Sequence, residues 1–396
     1  MIDRMIDRGS RRAQAERLLA AGLLTFFCLA ACATLRLVAA EWMFRHGRMP
    51  AFAASAAYWD AWADQAPTRA QVREALRSAV TADPRDSAAW ISLGLAAEGA
   101  GELAEAARDF ETAEQVDRQY LPAWSAANFF FRHGDTARFW PAEAHAAAMA
   151  YDDLAPLIDL ADRMEPDPVA ALSRLGQARS LERAYLDFLI VKGRWAGAQS
   201  IAWKLEAHHD PLDAERLLGF VDRLLAAERG AEALALCRKI ANCPVPAAGA
   251  ASALANGNFQ FAPAGHGFDW RVKAPPTVGP EWQSGRMGFR LSGSEPDQYS
   301  LLEQPVLVVP RRYCLRFEFR IPGAGLRWVA DQDAASGQIS PAYAGAEDRR
   351  EWRKAEWFFT PARAGLARLR LIYRREPGSL PATGRAGVRN LSLEIL

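Results

Sequence analysis

The chain has 396 residues, with 48 Lys and Arg against 47 Asp and Glu, a formal net charge of +1. Half of the residues are apolar and 24% are charged, which excludes a disordered chain and allows two or three domains, each with its own core. So balanced a charge gives no global field for nucleic acid, no RNA- or DNA-binding motif is present, and five cysteines are too few for a disulfide scaffold.

Residues 1–17 carry five arginines (Arg4, Arg8, Arg11, Arg12, Arg17) against Asp3, Asp7 and Glu16. An uncharged run, Leu18 to Leu35, follows, and Leu37 to Ala40 extends it past Arg36. The run reaches the lower end of membrane-spanning length, and Arg36 can snorkel toward headgroups. Arginine-rich flanks stay in the cytoplasm, so residues 1–17 read as a cytoplasmic leader and 18–40 as a transmembrane signal anchor. Everything after Ala40 is then translocated. Leu29-Ala30-Ala31-Cys32 also resembles the lipobox of bacterial lipoproteins, which makes Cys32 a possible lipidation site, although the apolar character continues past it. Either reading puts the body of the chain outside the cytoplasm, in the periplasm of a bacterial envelope. A buried core helix is the remaining alternative, and the basic leader argues against it.

A helical region is expected over residues 41–242. Thr81-Ala82-Asp83-Pro84 ends one helix, because proline lacks an amide hydrogen and disfavours helix in the residue before it. Trp90, Leu93 and Gly94 follow at the spacing W-x₂-L-G, then Ala106, Phe110 and Ala113, and Trp124 opens the next unit 34 residues on. Small Gly94 and Ala106 let two helices cross closely, and Gly101 marks the bend between them. The next bend runs from Arg132 to Asp135 through Gly134. Phe129, Phe130 and Phe131 cannot all face one side of a helix, so at least one lies in an inter-repeat contact or on a binding face. Two further hairpins are expected, across Tyr185 to Leu205 turning at Gly193 and across Ala214 to Ile240 turning at Gly230. The period and the motif between Val72 and Trp124 resemble the tetratricopeptide repeat, with Ala97 standing where that pattern has tyrosine. The resemblance implies an α-solenoid whose concave face holds a peptide or helix of a protein partner. No contact residue carries over, since the motif positions are structural.

Residues 243–255 have the Pro, Gly and Ala content of a linker, and strands dominate from 256 to 396. Tyr313 to Arg320 alternates apolar with polar residues, as do Leu369-Arg370-Leu371 and Val388 to Leu396, which indicates an antiparallel β-sandwich. Asn256-Gly257-Asn258-Phe259, then Gly267-Phe268-Asp269-Trp270, resemble the opening strand of jelly-roll modules in carbohydrate-binding and galactose-binding-like families. That resemblance implies glycan binding through exposed aromatic rings. Gln260 stands where those modules have glutamate, which argues against a calcium site there. Trp270, Trp282, Trp328, Trp352 and Trp357 are the candidate rings, with Tyr299 and Tyr343. Trp282 and Trp352 sit in polar, loop-like surroundings and are the ones expected to bind glycan, while Trp357-Phe358-Phe359 looks like core strand. In an oxidising compartment Cys237 and Cys243 can pair locally and leave Cys314 free, but one odd thiol suggests no dedicated framework, so three reduced, partly buried cysteines are expected.

The six histidines include no pair at metal-binding helix spacing, and His208-His209-Asp210 before Pro211 reads as a helix end. Neither G-x-S-x-G, H-E-x-x-H nor a P-loop occurs. Asp331, Asp333, Glu347 and Asp348 cannot be made a glycosidase pair by spacing, because that separation is spatial. Glu347 to Glu351 reads as a solvated loop. The expectation is a non-catalytic membrane-anchored scaffold without cofactor or metal, binding a protein partner in the cell envelope and serving exopolysaccharide synthesis or export. A glycan-binding accessory protein, a purely structural sandwich, and an enzyme acting on envelope glycans are the alternatives.

Overall fold

In the computed structural model the described residues are 2–46, 48, 56–151, 153–246, 252–323, 325–331 and 351–396, with side chains described from residue 18 except at 44, 56 and 57. The chain divides into two compact units, residues 1–184 and 185–396. The layout is α plus β, with thirteen helices and two antiparallel sheets among the described residues.

The first unit opens with helix α1 (Ile2–Arg45), in which Leu18–Met43 is long and apolar enough to cross a membrane. At its far end Ala40 is buried in a cluster with Trp59, Ala63, Leu76 and Leu93. Helices α2 (Ala56–Ala63), α3 (Arg69–Ala82), α4 (Ser87–Gly99), α5 (Leu103–Val116), α6 (Tyr120–Arg132) and α7 (Thr136–Met149) follow, each packed on the next. Their ends obey local rules. Thr68, Asp86 and Asp135 accept a backbone amide three residues on, satisfying donors that the first helical turn leaves unpaired. Trp90 Nε1 donates to the Pro84 carbonyl (3.0 Å), so the tryptophan of the repeat pins the Asp-Pro joint. Gly101 (φ 80°) and Gly134 (φ 68°) supply the left-handed bends expected of them. The three consecutive phenylalanines are all used in packing. Phe129 lies on Phe110 of α5 with centroids 5.0 Å apart, Phe130 is buried, and Phe131 meets Phe139 of α7. Helices α8 (Ala155–Met164) and α9 (Pro168–Leu175) complete this series, and α10 (Arg179–Val191) spans the boundary between the units.

The second unit continues with α11 (Trp195–Glu206), α12 (Pro211–Ala226) and α13 (Gly230–Cys237). Gly193 (φ 68°) makes the bend before α11. In the next hairpin Glu228 takes the left-handed conformation (φ 61°), and Gly230, expected as the bend, is the first residue of α13. It is small for another reason: a Cβ there would stand 2.7 Å from Leu307 Cδ2 and 3.0 Å from Leu366 Cδ1. His208-His209-Asp210 forms a helix joint, with the Asp210 carboxylate capping α12.

Strands β1 (Arg271–Val272), β4 (Gln298–Val308), β8 (Gly365–Arg374) and β6 (Leu326–Ala330) form one sheet in the order β1-β4-β8-β6. Strands β2 (Gly279–Gln283), β3 (Arg286–Leu291), β9 (Gly384–Ile395), β5 (Tyr313–Arg320) and β7 (Arg353–Phe359) form the other, β2-β3-β9-β5-β7. Alternate residues of both sheets meet in one core, including Trp270, Trp328, Phe289, Leu315, Leu369 and Val388. The α12–α13 hairpin lies against the four-stranded sheet, where Arg368 pairs with Glu228 (2.7 Å). Asp222 on α12 accepts from Arg271 (2.7 Å) and from the Gly267 amide (3.0 Å).

Two expectations are corrected here. Asn256 to Phe259 is a turn and not an opening strand: Asn256 (φ 50°) and Phe259 (φ 51°) are left-handed, and the Asn256 amide bonds both the amide and the carbonyl of Phe261. The expectation of three reduced thiols fails, because Cys237 and Cys243 are joined in a disulfide, leaving Cys314 free and buried. Of the stretch read as a linker, 247–251 lies outside the described residues, and Pro244 O accepts from the Phe268 amide (3.1 Å).

Candidate functional site

The outer face of the five-stranded sheet has an unusual floor. Glu281 pairs with Gly288, Gly288 with Gly387, and Gly387 with Arg320, so one cross-strand row holds two adjacent positions without side chains. Met287 and Phe289 beside Gly288 are buried, which puts Gly288 itself on the outer face. Next along the strands Arg290 stands opposite Arg385. On the other side of the row, Arg286 and Arg389 each precede or follow the paired Met287 and Val388 by one residue. Trp352 reaches in over Gly387: a Cβ at Gly387 would lie 3.2 Å from Trp352 Cη2. The guanidinium carbons of Arg389 and Arg320 lie 4.5 and 5.2 Å from the centroid of that ring.

Carboxylates fix some of these arginines. Glu281 holds Arg290 and also Arg385 (3.5 Å). Glu318 holds Arg389 (2.7 Å) and Asn390 (3.2 Å), both delivered to it by a bulge in β9 at left-handed Asn390 (φ 51°). These bonds keep the Glu318 carboxyl below its ordinary pKa, Arg389 being the largest cause and Asn390 the next. Arg320 is the opposite case. Burial lowers its pKa, and the neighbouring charges of Arg286 and Arg385 lower it further. A second ion-pair cluster lies farther along the face, where Arg316 bridges Glu356 and Glu394.

Of the expected ring residues, Trp352 is part of this face. Trp282 is not. Its partner in the register is buried Met287, so it points to the core side of β2, where it is 42% exposed and donates from Nε1 to the Phe259 carbonyl (3.1 Å). Trp270, Trp328 and Trp357 are core residues. Tyr299 stacks on Tyr373, with burial raising its pKa. Tyr343, Asp333, Glu347 and Asp348 lie outside the described residues, and Asp331 pairs with Arg370. Cys32 is exposed on α1, as is Cys28. Among the described residues no group of three or more His, Cys, Asp or Glu is placed to hold a metal ion. The arginines were missed in the sequence because no short motif holds them. The visible signal is their spacing of four, at 286 and 290 and again at 385 and 389, which puts like residues on one face of a strand.

No protein-family model matches the chain, and no curated protein matches it in sequence. Solved structures similar to parts of it include tetratricopeptide repeat proteins and carbohydrate-binding modules. YrrB, a TPR protein with an unusual peptide-binding site, is 15% identical over 42% of this chain and 91% of its own, with a TM-score of 0.22. A CBM4 module is 10% identical over 36% of this chain and 99% of its own, with a TM-score of 0.27. An arabinose-bound GH51 α-L-arabinofuranosidase is 14% identical over 36% of this chain, at a TM-score of 0.28, and the match spans 26% of that enzyme.

Proposed function

We propose that the chain is a non-catalytic envelope scaffold, held in the bacterial inner membrane by α1 with its bulk in the periplasm, and serving exopolysaccharide synthesis or export. On this reading the helices of residues 41–242 are a tetratricopeptide-type solenoid that holds a protein partner. The two sheets are a jelly roll that binds glycan. The observation that carries the reading is the reuse of one hairpin: α4/α5 and α6/α7 each turn at a left-handed glycine, and Glu98 of the first takes Arg132 of the second, 34 residues later. Such stacked hairpins bury their cores against neighbours and leave an extended face for a partner. The address is supported by α1, whose residues 18–38 are all exposed, and by the Cys237–Cys243 bond, which persists in oxidising compartments.

Cells making the full chain provide the test. The protein is expected to resist alkaline extraction from membranes, and protease added to the periplasmic side is expected to digest all but the N-terminal segment. Release of the chain by Cys32→Ser replaces the signal anchor with the lipoprotein reading. Turnover of an envelope glycan that disappears on changing a single carboxylate overturns the non-catalytic reading.

A further inference from the structure

We infer that the outer face of the five-stranded sheet, at Gly288 and Gly387, binds a carboxylate-bearing polysaccharide; this rests on the glycan-binding reading above and narrows it to acidic sugars. Gly288 leaves a gap in the side-chain layer at which a flat ring can approach the backbone, beside Gly387, which the Trp352 ring covers. Arginines stand on both sides of that gap, Arg290 with Arg385 and Arg286 with Arg389, and Trp352 closes one end. The local charge is unbalanced. Five guanidiniums, counting Arg320, share two carboxylates, Glu281 and Glu318.

Among the described residues, two of the five make no ion pair with a carboxylate. Arg286 bonds the side-chain amide of Gln283. Arg320 faces the Trp352 ring, and its Nε is buried without a hydrogen-bond partner. The like charges of Arg286 and Arg385 act on Arg320 at the same time, and Glu281 offsets them in part. An anion seated between them offsets that repulsion. Guanidinium forks match planar carboxylates in two parallel bonds, and the glutamates already fix the direction of Arg290, Arg385 and Arg389. A carboxylated sugar joins both halves of the site, the carboxylate for the forks and the ring for the gap beside the indole. A lipid surface meets protruding side chains more readily than a floor of glycines.

The full chain in detergent is run by affinity electrophoresis through gels holding polygalacturonate, its methyl ester, xylan, laminarin or single-stranded DNA. Polygalacturonate is expected to retard it, and esterification to abolish the effect on an unchanged backbone. Arg286→Gln and Arg320→Gln are each expected to weaken retardation about tenfold, the value of one charge-assisted bond. Equal retardation by xylan or laminarin, insensitive to both variants, overturns the acidic-sugar inference and leaves glycan binding standing. No retardation by any glycan overturns both. Equal retardation by DNA overturns the inference by revealing an unselective cationic face. The ester comparison uses the unmodified chain, so it holds even where a variant fails to fold.

Discussion

Gly94 of α4 is backed by the ring of Phe110 of α5: a Cβ on Gly94 would stand 3.1 to 3.2 Å from three of the ring carbons. The ring is fully buried and abuts Phe129, so it has little room to yield. Alanine gains about 1 kcal/mol of helix propensity and loses part of that to the contact, whereas a branched side chain forces the helices apart. Gly94→Val is therefore expected to destabilise the helical unit by about 1–3 kcal/mol, with Gly94→Ala near neutral, as read by thermal melts.

Glu143 of α7 is fully buried, and neither carboxylate oxygen has a hydrogen-bond partner among the described residues. Burial pushes its pKa up to about 8. Well below its ordinary value of 4.5 the group is neutral folded and unfolded alike. As pH rises from there to about 8, the unfolded chain gives up the proton that the native state keeps, and stability falls. The fall is on the order of a few kcal/mol, at ~1.4 kcal/mol per pH unit. Glu143→Gln is expected to flatten this slope, so that its melting temperature exceeds that of the native chain near pH 9 and matches it near pH 5. Parallel pH profiles for the two proteins would rule this out.

Gln304 of β4 donates from Nε2 to two carbonyls, Ala255 and Phe268, each at 2.7 Å, within a fully buried site. It stitches the turn-rich segment before β1 to the sheet. Gln304→Ala strands both carbonyls and opens a cavity, for an expected loss of about 2–4 kcal/mol. Glutamate in its place lacks the donors and is expected to do no better. Denaturant midpoints for the three proteins check this.

The Cys237–Cys243 disulfide ties the end of α13 to the chain beside Gly267, whose Cβ, if present, would lie 3.1 Å from Cys243 Sγ. Replacing both cysteines by serine is expected to cost about 2 kcal/mol, a value for a short closed loop. The native chain is expected to lose the same increment on reduction. A double variant that still responds to reductant would place the effect elsewhere.

The helical part was legible because its signals are local. Trp90, Pro84 and the glycines at 101, 134 and 193 act within a few residues of themselves, and each does in the structure what its neighbourhood implied. Gly230 shows the limit. Its chemistry suggests a turn, but its smallness answers Leu307 and Leu366, residues that only tertiary packing brings near. The same limit hid the arginine floor. Alternation places Arg286 and Arg290 on one face of β3 and Arg385 and Arg389 on one face of β9, but nothing local says that β3 and β9 are neighbours. Trp282 and Trp352 look alike in sequence, and a single step of the strand period sends the first toward the core.

The seat of α13 on the four-stranded sheet bears on how this gene can be cut and recombined. A fusion joined at the proline-rich stretch after Cys243 would carry the sheets away from the helices that cover Leu307 and Leu366. It would strip Arg271 and the Gly267 amide of Asp222, and part Gly267 from the Cys237–Cys243 disulfide it packs against. The smallest transferable cassette that keeps the sheets whole therefore includes α12 and α13, and a graft made without them is expected to be sticky rather than simply weaker.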